Sequence, residues 1–109
     1  MATTYKVLGQ SNPSATTQTT LYTVPASTSA IVSTLTVCNQ AASAGTYRIA
    51  IQPAGAALTT KHYIAYNVTI PASASDTITL GITLATTDVI SVYASSTSFS
   101  FSAFGSEIA

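Results

Sequence analysis

A chain of 109 residues with three cations, three anions and zero net charge has too few charges to neutralise a polyanion, and its one cysteine excludes an internal disulfide. Charged residues make up 6% of it, against about 25% in an ordinary soluble domain, while Ser and Thr fill 35 positions and Ala another 18. With 47% apolar residues the composition also excludes a disordered polymer.

One domain is expected, with a surface of hydroxyls, amides and methyls that repels neighbours weakly. Such a chain is expected to be covered by other subunits. No apolar run reaches the roughly 18 residues that would span a bilayer, and no membrane or nucleic-acid partner is expected. The start, Met-Ala-Thr-Thr-Tyr-Lys, lacks a basic segment followed by an apolar one, so no secretion signal is expected and synthesis is placed in a cytoplasm.

In chain order, eight strands are predicted: residues 4–9, 20–24, 30–39, 46–52, 61–70, 76–84, 88–94 and 98–104. They are rich in Thr, Val, Ile, Tyr and Phe, whose branched or flat side chains fit a pleated surface. Several alternate with period two, which predicts sheets covered on one face. Tyr47, Ile49 and Ile51 alternate with Arg48, Ala50 and Gln52; Ile64, Tyr66, Val68 and Ile70 with Ala65, Asn67 and Thr69. Ile78, Leu80 and Ile82 alternate with small or hydroxyl residues, as do Phe99 and Phe101.

Breaks are predicted at Asn12-Pro13 and after Pro25, Pro53 and Pro71, where a missing N–H is tolerated at strand ends. Residues 105–109 are read as a tail that orders only by docking on a neighbour. No segment has a convincing helical period. The fold class predicted is all-β: an antiparallel β-sandwich of about eight strands, jelly-roll or immunoglobulin-like.

Catalytic and metal chemistry are sparse. His62 is the single histidine, and the acids are Asp76, Asp88 and Glu107. A hydrolytic triad would need His62 near a carboxylate and a serine; the plainer reading is a strand-start histidine at a rim or interface. Asp76 and Asp88 precede predicted strands, where aspartate caps turns. Cys38 and His62 alone make no zinc site, no carboxylate cluster suits calcium, and the five glycines form no phosphate cradle. Cys38 reads as a small buried hydrophobe. Asn67-Val68-Thr69 matches a glycosylation sequon but reads as strand sequence. Neither a cofactor nor an enzymatic activity is expected.

The candidate contact residues are Arg48, Tyr5, Tyr22, Tyr63 and His62. Arg48 lies on the opposite strand face from Tyr47 and Ile49, so it either meets solvent or pairs across a subunit contact. Lys6 and Lys61 are placed at exposed strand edges, which charge protects from pairing. Tyr47, Tyr66 and Tyr93 are in phase with apolar neighbours and read as core or interface. Tyr5, Tyr22 and Tyr63 would form a solvent-facing row in a carbohydrate-binding module.

The segment Leu21-Tyr22-Thr23-Val24-Pro25-Ala26, then Ala30-Ile31-Val32-Ser33-Thr34-Leu35-Thr36-Val37-Cys38-Asn39, resembles small virion proteins of tailed bacteriophages, particularly of cyanobacterial phages. Tyr47-Arg48-Ile49-Ala50-Ile51, Lys61-His62-Tyr63-Ile64-Ala65-Tyr66 and Asp88-Val89-Ile90-Ser91-Val92-Tyr93-Ala94 continue the likeness, which covers about residues 4–105. These motifs define strands and turns, and no functional residue carries over with them. The resemblance implies a virion component. Within that class the expected role is a capsid cement or decoration protein on the outer head surface. Its partners would be the major capsid protein or other virion subunits, and a homotrimer is the favoured oligomer. The alternative is a tail-fibre or baseplate module, trimeric and open to a host-adhesion role.

Overall fold

The computed structural model, which describes residues 2–109, is a two-layer all-β sandwich. Nine strands follow one another: β1 (Thr3–Ser11), β2 (Thr19–Thr23), β3 (Ser29–Asn39), β4 (Gly45–Gln52), β5 (Tyr63–Ile70), β6 (Ala74–Ile78), β7 (Ile82–Leu84), β8 (Val89–Ala94) and β9 (Phe99–Ile108). One sheet has the order β1-β9-β3-β6, with β7 also on β3; the other has the order β2-β8-β4-β5. All pairings are antiparallel.

The pairs are nested. β4 pairs with β5, β3 with β6 and β7, β2 with β8, and β1 with β9. Since β6 and β7 share β3 as partner, they act as one interrupted strand. Eight strands nested in this way make a jelly roll, which decides between the two sandwich types the sequence allowed.

Alternation builds the core. Inward positions of the first sheet bring Leu35, Val37, Phe99, Phe101 and Ala103 against Tyr47, Ile49, Ile90 and Val92 of the second, all nearly inaccessible to solvent. Phe101 meets Tyr47 edge-to-face at 6.2 Å. Asn39, buried at the end of β3, donates through Nδ2 to the carbonyls of Ser43, Ile70 and Pro71, and its Oδ1 accepts from Ala41 N–H. One amide thus closes the turn between the sheets.

The structure changes several expectations about the strands. The strand expected at 76–84 starts at Ala74 and is interrupted at residues 79–81, where Gly81 takes φ +63° and Leu80 is 61% exposed. The expected alternation therefore stops at Ile78. Asp76 lies inside β6 rather than before a strand and accepts from the Tyr47 hydroxyl. Residues 60–62 form a 3₁₀ turn, and β5 begins only at Tyr63.

The presumed tail is the end of β9. It pairs with both β1 and β3 as far as Ile108, and Ala2 and Ala109 exchange two backbone hydrogen bonds of 2.9 Å. No neighbouring chain is needed to order it. Asp88 does cap a turn: its carboxylate accepts from Ala54 and Ala85 N–H, both at 2.8 Å. Cys38 is half-buried on the outward face of β3, opposite to Val37.

Two substitutions test this packing. Ile49→Ala opens a cavity at a position with no solvent exposure, so chemical denaturation is expected to show a loss of about 2–5 kcal/mol. A Cβ on Gly105 would fall against the carbonyl oxygen of Ile31, where β9 crosses β3. Gly105→Ala is therefore expected to speed amide exchange in the second half of β9 while leaving residues 99–103 protected.

Candidate functional site

Two surfaces combine an unusual composition with defined geometry. The first is the outward face of the first sheet. Registry places Tyr5 beside Ser106 and Ile31, and Val7 beside Phe104 and Thr34. The next rows carry Gln10, Ser102, Thr36 and Thr77, then Ser100, Cys38 and Ser75. Tyr5 is 83% exposed, Val7 47% and Ile31 40%.

Every outward position of this sheet is neutral. Its three charged residues all lie at inward-phase positions: Lys6 in line with Val32, Glu107 with Ala30 and Asp76 with Val37. Lys6 sits on an edge strand, as expected, and its Nζ lies 3.3 Å from Glu107 Oε1. The other Glu107 oxygen accepts from the Tyr22 hydroxyl, contributed by the opposite sheet. Tyr22 is thus a buried inter-sheet tie and not an outer contact.

The second surface is the outward face of β4, β5 and β8. Arg48 and Tyr93 are direct cross-strand neighbours. β5 departs from regular pairing here. Ile49 faces Ala65 while Tyr47 faces Val68, so Tyr66 and Asn67 together oppose Arg48. Asn67 takes φ +51°, a left-handed conformation that asparagine tolerates, and the bulge turns Tyr66 outward. This overturns the unbroken alternation expected for residues 64–70: Tyr66 is 55% and Ile64 41% exposed, whereas Val68 and Ile70 pack inward.

Arg48 is half-buried on this face and, among the described residues, pairs with no carboxylate. Its guanidinium carbon lies 4.3 Å from the Tyr66 ring centre and 4.1 Å from that of Tyr93, and its Nε donates to Asn67 Oδ1 at 2.7 Å. Each cation–π contact of this kind is worth about 0.5–1 kcal/mol. Tyr63 packs edge-to-face on Tyr66 at 4.9 Å. These rings, with Leu58, Thr59 and Thr60, line an open cleft of about 750 Å³.

His62 lies elsewhere. It is buried, its Nδ1 accepts from Thr59 N–H at 3.0 Å, and it borders a second, smaller cleft with Ile51, Lys61 and Ile64. That acceptor role puts the neutral ring's proton on Nε2. The carboxylates of Asp76 and Asp88 are engaged by Tyr47 and by backbone amides instead. Among the described residues no group of three or more His, Cys, Asp or Glu lies together, and no helix is long and apolar enough to cross a membrane. The row of Tyr5, Tyr22 and Tyr63 that a carbohydrate-binding module would have required does not form. Tyr5 lies on one outer face, Tyr22 between the sheets and Tyr63 on the other outer face.

The inter-sheet hydroxyls impose a pH dependence. The hydrogen bond from Tyr22, with Lys6 adding to it, holds the Glu107 carboxyl below its ordinary value despite partial desolvation. Burial, with the nearby Asp76 carboxylate, pushes the Tyr47 hydroxyl up to about 12; burial and Glu107 push Tyr22 in the same direction. A depressed carboxyl stabilises the fold above its unfolded-state value, and this is lost as pH falls through the folded-state value. A raised phenol stabilises the fold below about 10, and this is lost as pH rises toward about 12.

Melting temperature is therefore expected to fall below about pH 4.5 and above about pH 10. Glu107→Gln should flatten the acid limb, and an unchanged limb would remove Glu107 as its source. Comparisons of the chain with protein-family models, curated proteins and solved structures find no match.

Proposed function

We propose that the chain is a structural subunit of a tailed-phage virion, a cement or decoration protein that works by burying its neutral sheet face against shell subunits. The observation that carries this reading is the segregation of charge on the β1-β9-β3-β6 sheet. Lys6, Asp76 and Glu107 sit at inward-phase positions, and no outward position is charged. A protein bathed only in water gains nothing by withholding charge from a whole face.

The body measures 45 × 27 × 20 Å, so its broad face can supply the roughly 800 Å² per partner of a standard interface. Tyr5, Val7, Ile31 and Phe104 provide the apolar centre and the surrounding hydroxyls the polar rim. Repetition over a shell makes the contribution of each copy additive. Jelly rolls recur in viral capsid and lectin domains, an analogy of fold alone.

The tail-fibre or baseplate alternative meets a geometric objection in one of its forms. An in-line segment of a shaft needs its two ends far apart along the axis. Here Ala2 and Ala109 are hydrogen-bonded neighbours. A terminal, host-contacting module is compatible with that geometry, and the aromatic cleft favours it.

Electron microscopy of intact particles tests the proposal by locating the chain. Density on the outer head surface is expected, with the β1-β9-β3-β6 face turned toward the shell. Tyr5→Asp with Ile31→Asp is expected to abolish particle occupancy while moving the melting temperature of the free protein by less than about 2 °C. Density at the tail would replace the cement reading by the alternative. Absence from particles, with a dispersed monomer at high concentration, would overturn both.

A further inference from the structure

The cleft beside β5 is not part of the face that the proposed function buries. It lies on the sheet opposite to the neutral face and is lined by Leu58, Thr59, Thr60, Tyr63 and Tyr66. We infer that this cleft is a binding site for neutral glycans, in which the apolar face of a pyranose ring packs on the tyrosines while its hydroxyls meet the threonine rim. The inference stands apart from the virion reading, since it concerns the free chain and a different face.

Three features support that occupant. First, the lining combines two aromatic rings with hydroxyl-bearing residues, the pairing that a ring with one C–H face and equatorial hydroxyls requires. Second, no charged residue lines the cleft, so a neutral ligand is matched and an ionic one is not. Lys61 and His62 border the neighbouring cleft instead.

Third, the platform is fixed before any ligand arrives. Arg48, clamped between Tyr93 and Tyr66 and held by Asn67 Oδ1, sets the position of Tyr66. Tyr63 stands nearly perpendicular to Tyr66, with ring centres 4.9 Å apart. Rings held in this way lose little freedom on binding. Arg48 is a positioning residue here: its side chain acts on the ligand only through Tyr66. An apolar side chain of a protein partner would fill the same space without engaging the exposed Thr60 hydroxyl.

The test is a nitrogen-15 NMR titration of the full chain with maltotriose, cellotriose, mannotriose and chitotriose, beside the neutral peptide acetyl-prolyl-leucine amide. At least one trisaccharide is expected to shift resonances in residues 58–67 with a dissociation constant in about the millimolar range. Tyr66→Ala, at a position more than half exposed, should keep a dispersed spectrum and weaken that binding by about tenfold or more. Tyr66→Phe should retain it, and Tyr5→Ala on the other sheet should leave it unchanged.

Arg48→Lys keeps the charge but loses the flat guanidinium. It should move the Tyr66 ring signals of the free protein and weaken binding together. The proposal is overturned if no trisaccharide shifts the cleft at about 20 mM. It is overturned equally if Tyr66→Ala binds like the parent, or if only the peptide shifts the cleft.

Discussion

The sandwich depends on β9. Its inward residues Phe99, Phe101 and Ala103 fill the centre of the core, and its backbone bonds to β1 on one side and β3 on the other. Near its end, Glu107 reaches the Tyr22 hydroxyl of the opposite sheet and the Lys6 ammonium of the neighbouring strand. Packing, sheet continuity and the inter-sheet polar tie therefore converge on ten residues. Close fit enforces the arrangement, because a side chain on Gly105 would meet the β3 backbone.

Charge scarcity shapes both faces in different ways. On one sheet the charges are drawn to inward-phase positions and satisfied there by a tyrosine hydroxyl or by each other. A buried carboxylate without such a partner would be costly. On the other sheet, Arg48 has aromatic rings and an amide as neighbours, with no anion among its contacts. A guanidinium suits that role because it is flat and weakly hydrated, so ring faces can replace part of its water. One face is thereby left free of charge, while the other carries an ordered aromatic array.

Much of the fold was legible because alternation is a local signal. Tyr47 with Ile49, and Phe99 with Phe101, announce a buried face within a few residues, and the prolines mark strand ends. What stayed hidden depends on events that are not local. The reversal of phase in β5 comes from the left-handed turn at Asn67, and the residues themselves read as an unbroken apolar alternation. The end of β9 is polar enough to read as a tail until β1 and β3 supply its hydrogen bonds. Tyr22 and Glu107 are 85 positions apart, and nothing near either one indicates the other. Arg48 was recognisable as outward-facing, but its clamp needs the β5 bulge to bring Tyr66 alongside. The break between β6 and β7 left one further clue: Gly81 allows the left-handed backbone that interrupts the strand, and glycine inside a strand pattern is a known sign of such a break.

The strand order has a consequence for how the molecule comes into being. β8 and β9 occupy interior places in their respective sheets, between partners that lie far earlier in the chain. During synthesis, β1 and β3 emerge without the strand that joins them, as do β2 and β4. Neither layer can close until its joining strand, β8 or β9, has left the ribosome. The nascent polypeptide thus carries four unmatched strand borders until β8 and β9 have been made, and completion of the native state must wait for those two strands.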